Sequence, residues 1–286
     1  MTKHSLYLLL TLLCLWSCSD TLDVDIDEGP VRLVIEGRIT LDKDNPNGYQ
    51  SIRLTTTAPY FGNQPTPAAL GAEVSVTAVR TGETFAFQAS ANVPGLYETN
   101  NFMASTGEMY RLDVLYEGNR YQALETLMPV ADIDVLDQFF EEETIFADEG
   151  IKLSLTYTDP AGESNFYHWQ IYRNDTLLVT ASVGNQFNLI SSDEFYDGLT
   201  VANFEPVNEF SYLPGDRAEV RQFALTELSY EFYRTYYEQV VGIAPGFADV
   251  VPATLRGNVQ NVTDPDLYPL GYFEASEVSV RQLEIQ

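Results

Sequence analysis

The stretch MYRLDVLYEGNRYQALETL, residues 109–127, decides the fold class of this chain. Apolar and polar side chains alternate along Met109 to Tyr116 and again along Arg120 to Leu127. A period of two is typical of a strand that buries one face. Because turn-forming residues separate the two runs, the stretch predicts two neighbouring strands of an antiparallel sheet.

Further strand-sized runs precede this pair, with turn signals about every 8 to 15 residues and no helical pattern between them. This spacing favours an antiparallel sandwich of about seven strands. We therefore predict an immunoglobulin-like β-sandwich over residues 30–128. The additional runs lie at residues 31–39, 51–56, 72–79, 85–88 and 95–98.

A second, larger β-rich domain is predicted over residues 129–286. The Asn174-Asp175 pair is a hairpin signal between two of its runs. Its strand-like runs lie at residues 133–136, 151–157, 165–173 and 177–182.

One amphipathic helix is predicted in this second domain, over about residues 226–241. Thr226 is a suitable N-cap, and Gly242 is a suitable stop. An apolar stripe that recurs every four residues predicts the face that packs on a sheet, with Tyr233 and Tyr237 beside it. The stripe consists of Leu228, Phe232, Tyr236 and Val240.

The charge balance excludes two classes of partner. The chain of 286 residues has 15 Lys+Arg against 42 Asp+Glu, and its net charge is −27. Binding to a nucleic acid or electrostatic adsorption to an anionic membrane needs a basic face, which such a chain does not easily supply. We therefore expect no nucleic-acid partner. Since 45% of the residues are hydrophobic, we expect a folded protein with buried cores.

The N-terminal segment MTKHSLYLLLTLLCLWSC, residues 1–18, is typical of an export signal. Its apolar run is too short to span a bilayer. Leu15-Trp16-Ser17-Cys18 resembles the bacterial lipobox, in which cleavage before the cysteine leaves that residue to be acylated. We predict a signal peptide at residues 1–17 and lipidation at Cys18. A plain secretory signal and an N-terminal core helix are the alternatives.

A polar, acidic segment follows Cys18 and ends in Gly-Pro, which predicts a tether over residues 18–29. Multiple acyl chains on Cys18 would anchor the protein stably, because one chain alone binds a membrane only marginally. The other cysteine, Cys14, lies inside the predicted signal peptide. The mature chain would therefore have no free thiol and no disulfide.

The sequence offers few groups for catalysis. His168 is the only histidine outside the predicted signal peptide, and it lies in the middle of a predicted strand rather than on a loop. Without a second histidine or a free cysteine, zinc and copper sites with nitrogen and sulfur ligands are almost excluded. We predict no catalytic residue and no cofactor. A hydrolase that uses two carboxylates is kept as an alternative, since acidic residues are plentiful.

The stretch from Ser191 to Gly198 has the densest set of oxygen ligands outside the tether, and Asp159 and Glu163 are further candidates. Calcium accepts six to eight oxygens in irregular loops, so a structural calcium site is physically reasonable. The alternative is a turn rich in Asp and Ser, with Gly198 at positive φ. We assign no metal ligand, and calcium near Asp193 and Asp197 stays open.

Aromatic residues are frequent in the second half. We expect most of them to pack in a core, with protein contacts or sugar stacking as the alternative. Besides the tyrosines of the predicted helix, the set comprises Phe187, Phe195, Tyr196, Phe204, Phe210, Tyr212, Tyr268, Tyr272 and Phe273.

Several stretches together resemble the family called domain of unknown function 4249 (DUF4249). The most specific is the closing part, residues 256–262 followed by Leu270-Gly271-Tyr272-Phe273-Glu274-Ala275-Ser276. The resemblance covers nearly the whole mature chain in order. Its other parts are Cys18, residues 33–39, 71–74, 159–167, 192–198 and 214–216, and the tyrosine-rich helix.

The resemblance implies an outer-membrane-type lipoprotein of the kind commonly encoded beside TonB-dependent receptors. Only the lipidation site, Cys18, transfers from it, because the family has no established catalytic residues. We therefore expect a lipid-anchored protein of the outer membrane and cell surface. It would be a non-enzymatic accessory or ligand-capture subunit of a TonB-dependent receptor. An adhesion or envelope-scaffold lipoprotein is the main alternative.

Overall fold

The computed structural model describes residues 29–59, 65–143, 149–178, 189–206, 210–241 and 255–286. All seven runs predicted in the first region form strands. They are β1 (Leu33–Asp42), β2 (Gln50–Thr56), β3 (Glu73–Ala78), β4 (Thr84–Ala89), β5 (Leu96–Thr99), β6 (Met109–Tyr116) and β7 (Asn119–Thr126).

The β6–β7 hairpin follows directly from the stretch that decides the fold class. Tyr116 pairs with Asn119, and the two residues between them, Glu117 and Gly118, have φ values of 48° and 78°. Two consecutive residues at positive φ are typical of the tight turn whose twist matches that of an antiparallel pair. Both runs form strands as predicted, and the structure pairs them with each other.

The described part of the second region is also mainly β and includes one helix, which confirms the predicted fold class. The helix is α1 (Glu227–Val241). The strands are β8 (Ile133–Glu141), β9 (Gly150–Thr158), β10 (Phe166–Arg173), β11 (Thr176–Leu177), β12 (Ile190–Ser192), β13 (Thr200–Phe204), β14 (Arg217–Leu225), β15 (Gln260–Asn261) and β16 (Leu270–Glu284).

Most strands belong to one long sheet with the order β11-β10-β14-β16-β1-β2-β5-β4-β3-β6-β7-β15, and β12 pairs with β10 off this path. Apolar residues of β1, β2 and β5 share one buried cluster with those of β3, β6 and β7, so the sheet folds over into a sandwich. We call this cluster the first core. Ile35, Ile52, Phe102, Tyr110 and Leu112 are among its most deeply buried members.

A second core forms where the sheet β13-β9-β8 packs on β10 and β14. Its centre is aromatic, since Tyr157, Tyr167 and Trp169 are all about 99% buried. The Tyr157 ring centroid lies 5.1 Å from that of Tyr167 and 5.9 Å from that of Trp169. Rings at these separations add to the stability that burial of their area provides.

Strand β16 joins the two regions. It runs parallel to β1, pairing Arg38 with Glu274, and antiparallel to β14. Phe273 and Ala275 belong to the first core although they come from the end of the chain. Val31–Gln286 groups into one compact unit, and both the division at residue 128 and the immunoglobulin-like topology stay predictions.

Helix α1 begins as predicted, because the Thr226 Oγ1 accepts a hydrogen bond from the backbone N–H of Ser229 at 3.3 Å. The predicted buried stripe is wrong by one position. Leu228 is 64% exposed and Tyr236 is 42% exposed, whereas Ser229 and Tyr237 are buried. The cause is tertiary, since the tyrosine hydroxyls of this face bond to polar groups on the sheet. Gly242 lies outside the described residues.

Candidate functional site

Three aspartates from separate parts of the second region meet in the structure, and we call Asp159, Asp193 and Asp197 the acidic cluster. One carboxylate oxygen of each lies within 4.8 Å of those of the other two. Asp159 and Asp193 are buried, while Asp197 is exposed. The sequence singled out all three, whereas Glu163 is exposed and not a member.

The local backbone explains how the acidic cluster forms. Asp159 follows β9 directly, and Asp193 follows β12. Gly198 has a φ of 71°, as predicted, and its N–H donates to the Asp159 Oδ2 at 3.0 Å. A Cβ atom at Gly198 would lie 2.7 Å from the Cβ of Ala161, so this position requires glycine.

Neutral groups donate the remaining hydrogen bonds to the acidic cluster. The backbone N–H of Gly162 donates to the Asp197 Oδ1 at 2.7 Å, and that of Asn165 donates to the Asp193 Oδ2 at 2.8 Å. The Tyr167 hydroxyl donates to the Asp159 Oδ1. Burial and this bond raise the pKa of Tyr167, so the phenol stays protonated and donates at neutral pH.

The acidic cluster has no basic partner among the residues that the structure describes. Among the ion pairs that join described residues, none includes Asp159, Asp193 or Asp197. Carboxylate oxygens at this separation are suitable ligands for a hard cation. Two surface depressions of about 350 and 400 Å³ lie elsewhere, and neither is lined by these aspartates.

A second polar group lies under α1, and we call it the arginine cluster. Its members are Arg38, His168, Tyr233, Tyr237 and Glu274. The Arg38 Nε donates to the Glu274 Oε2 at 2.6 Å, and the Tyr233 hydroxyl donates to the other Glu274 oxygen. The Arg38 Nη2 lies 3.2 Å from the His168 Nδ1.

His168 has a structural place in this cluster. It is buried, and its Nε2 lies 3.1 Å from the Tyr237 hydroxyl, so both ring nitrogens have partners. Burial and the positive charge of Arg38 hold the pKa of His168 well below its usual value near 6.5. The imidazole is therefore neutral at pH 7, and it links β10 to α1 and β1.

The sequence did not reveal Arg38 and Glu274 as partners. The two residues lie 236 positions apart, and they meet only because β16 pairs with β1. In the sequence, Arg38 lies on the face of β1 opposite to Ile35 and Ile39. A charged residue at that position indicates a solvated face. Only the presence of a helix over that face makes the pair a buried one.

The aromatic residues of the second half divide by exposure. Tyr212, Tyr272 and Phe273 are buried, as expected for a core, and Phe204 and Phe210 pack against the second core. Tyr196 is half-buried. Tyr268 stacks between the guanidinium groups of Arg32 and Arg256. Phe187 lies outside the described residues.

Phe195 is the exception, because 86% of its surface is exposed. It lies in the turn between Asp193 and Asp197, and Leu199, at the end of the same loop, is 58% exposed. Backbone hydrogen bonds fix this turn: the Tyr196 N–H donates to the Asp193 carbonyl at 2.8 Å, and the Leu199 N–H donates to the Tyr196 carbonyl at 2.9 Å. We call residues 193–199 the Phe195 loop.

The predicted lipidation site, Cys18, lies outside the described residues, and so do the predicted signal peptide and nearly all of the tether. Within the described ranges, no helix has the length and hydropathy needed to cross a membrane.

Comparison with known proteins supports the resemblance stated above. A family model described as domain of unknown function (DUF4249) matches residues 19–282. The chain belongs to the DUF4249 family. The match to DUF4249 begins one residue after Cys18 and ends within β16, so it includes both cores, the acidic cluster and the arginine cluster. A search of curated proteins finds no match.

Proposed function

We propose that this DUF4249 protein is a surface-exposed lipoprotein, anchored in the outer membrane through acyl chains on Cys18. In this proposal it acts as a non-enzymatic accessory or ligand-capture subunit of a TonB-dependent receptor. The Phe195 loop is the contact surface.

The Phe195 loop is the observation that carries the proposal. An exposed phenylalanine on a hydrogen-bonded turn offers a large apolar contact at little cost in conformational entropy, because its backbone is already fixed. Protein interfaces obtain much of their binding free energy from a few such aromatic anchors. Leu199 adds a second exposed apolar side chain to this loop, which favours a protein partner over solvent.

The anchor is supported by the sequence. The lipobox-like Leu15-Trp16-Ser17-Cys18 precedes an acidic tether, and the family match starts at residue 19. A receptor as the partner is what the resemblance to DUF4249 implies. His168 is buried and has a hydrogen-bond partner at each ring nitrogen, which favours a role without catalysis.

Affinity purification from outer membranes tests this function. A tagged chain, solubilised with a mild detergent, should recover a TonB-dependent receptor in a nearly stoichiometric amount. Repeated recovery of the lipoprotein alone would contradict the proposal. It would favour the adhesion or scaffold alternative, in which deletion causes no growth defect on a receptor-dependent nutrient.

A matched pair of surface variants tests the contact. Phe195→Ser should lower the recovered receptor about tenfold or more, because removing an aromatic anchor costs about 2 kcal/mol or more of binding free energy. Leu228→Ser is the control, since Leu228 is equally apolar and 64% exposed but lies on α1. Equal recovery with both variants would exclude the Phe195 loop as the contact.

A further inference from the structure

We propose that the acidic cluster, together with the side-chain oxygen of Asn165, binds one calcium ion. Binding of this ion would join the β9–β10 turn to the Phe195 loop. The inference goes beyond the proposed function and does not depend on a receptor.

The first argument is electrostatic. Asp159 and Asp193 are more than nine-tenths buried, and one oxygen of each lies within 4.8 Å of an Asp197 oxygen. Like charges at this distance repel one another, and burial weakens the screening by water. Neutral donors stabilise single oxygens but leave the net charge in place. A divalent cation between the three carboxylates removes this repulsion.

Asn165 supplies an independent argument. The residue is 91% buried, and its Oδ1 has no hydrogen-bond partner in the structure. A buried carbonyl oxygen without a partner is costly, and in native proteins such an atom usually bonds to a donor, a water or an ion. The orphaned oxygen therefore points to a ligand.

The strand register places the Asn165 side chain on the same face as that of Asp193 in the acidic cluster. Strands β10 and β12 pair Phe166 with Ser192, and the next pair outward is Asn165 with Asp193, joined by the Asp193 N–H to the Asn165 carbonyl at 3.0 Å. Residues directly opposite each other in an antiparallel ladder project to the same face. Tyr167, two residues along, projects to this face as well and donates to Asp159.

The chemistry of the ligand set favours calcium over magnesium. Three carboxylates and one amide oxygen are all hard oxygen donors, and calcium accepts six to eight of these in irregular geometry, with water completing the shell. Magnesium demands a near-octahedral arrangement and retains most of its water. A buried set of several protein oxygens therefore suits the larger ion.

Calcium titration of the purified full chain, first treated with a chelator, tests the proposal. Calorimetry should give one Ca²⁺ per chain with a Kd of about 10⁻³ M or tighter, the range of extracellular calcium modules. Terbium(III), which replaces calcium, should show luminescence sensitised by Tyr167 and Tyr196. The Tyr167 hydroxyl bonds to Asp159, and the Tyr196 phenol is close enough to Asp159 and Asp193 for their charges to help raise its pKa. An equal affinity for Mg²⁺, or no saturable binding at millimolar Ca²⁺, would overturn the assignment.

Two charge-neutralising variants of the same loop provide the control. Asp197→Asn replaces a charged ligand with a neutral amide at an exposed position where folding should be preserved, and the lost charge should weaken Ca²⁺ binding about tenfold or more. Glu194→Gln removes the same charge from an exposed residue outside the acidic cluster, and its affinity should equal that of the wild type. Equal weakening by both variants would show general attraction to the acidic surface and would refute the site.

Discussion

The first core and the arginine cluster lie on opposite faces of the same strand, β1, and they are stabilised by different interactions. Ile35 and Ile39 project into the first core and are fully buried among apolar side chains. Arg38 projects to the other face, where Glu274 and Tyr233 bond to it under α1. Apolar burial is non-directional, whereas the polar cluster depends on specific pairs.

This difference determines what each face tolerates. A close-packed apolar core loses free energy in proportion to the volume removed, and its other contacts remain. A buried charge that loses its partner keeps its full desolvation cost. The two faces of β1 should therefore respond differently to substitutions, and the following experiments measure that difference.

The largest effect is expected from Arg38→Leu. This change leaves the buried Glu274 carboxylate without its ion pair, which should lower the free energy of unfolding by about 3–5 kcal/mol in urea titrations. The double variant Arg38→Leu with Glu274→Leu should recover most of the loss, because an apolar pair replaces the ionic one. A double variant as unstable as the sum of the single changes would contradict a specific pair.

Glu125 tests a polar group at the edge of the first core, on the same face of β7 as Tyr121 and Ala123. Burial raises the pKa of Glu125 to about 6, although the Tyr272 hydroxyl donates to it at 3.1 Å. The folded state therefore holds the proton more tightly. The tighter binding of this proton stabilises the folded state fully below pH about 4.5, and the stabilisation is lost as the pH rises through about 6.

Glu125→Gln should consequently raise the free energy of unfolding by up to about 2 kcal/mol at pH 8. At pH 4 the variant and the wild type should be equally stable. Chemical denaturation at both pH values provides the measurement, and the same difference at pH 4 and pH 8 would exclude titration of Glu125 as the cause.

His168 gives the arginine cluster a pH dependence of the opposite sign. Its pKa is lowered in the folded state by burial and by Arg38. The Tyr233 ring and the Tyr237 hydroxyl also lie against the imidazole, and Glu274 bonds to Arg38. The His168 contribution to the free energy of unfolding is fully present above pH about 6.5. Below this pH, the free energy of unfolding should fall by about 1.4 kcal/mol per pH unit until the folded-state pKa is reached.

The difference between wild type and His168→Gln isolates this effect, because Glu125 titrates in both proteins. The wild type should lose about 1.4 kcal/mol more than the variant between pH 7.5 and pH 5.5. Parallel pH profiles for the two proteins would contradict a neutral, buried His168.

The smallest effect is expected for Ile52→Val on the apolar face. Ile52 of β2 is fully buried in the first core and lies against Gly37 of β1, so the loss of one methylene should cost about 0.5–1.5 kcal/mol at every pH. A loss as large as that of Arg38→Leu would remove the distinction between the two faces.

The same distinction explains how much of the fold the sequence predicts. Strands β1 to β7 were predictable because each buries one face, so that alternation marks it, and the β6–β7 turn adds a local signal. Strand β16 was not predicted. Residues 272–279 are buried on both faces, and alternation disappears when both faces are covered.

The candidate site was predictable only in part, for a related reason. Asp193 and Asp197 stand out because they lie in one loop rich in oxygen ligands, and Asp159 because it opens the turn Asp159-Pro160-Ala161-Gly162. The orphaned Asn165 oxygen depends on strand register, which a single sequence does not reveal. The buried face of α1 is offset by one residue from the predicted face. Periodicity locates apolar side chains, but it does not reveal which tyrosine hydroxyls bond to Glu274 and His168.

The mass of the mature protein tests the anchor, on which the proposed function depends. Intact-mass spectrometry of the chain extracted from outer membranes should give residues 18–286 carrying acyl chains on Cys18, and a Cys18→Ala variant should lack this species. A mature chain that begins at another residue, or that carries an unmodified Cys18, would contradict the account.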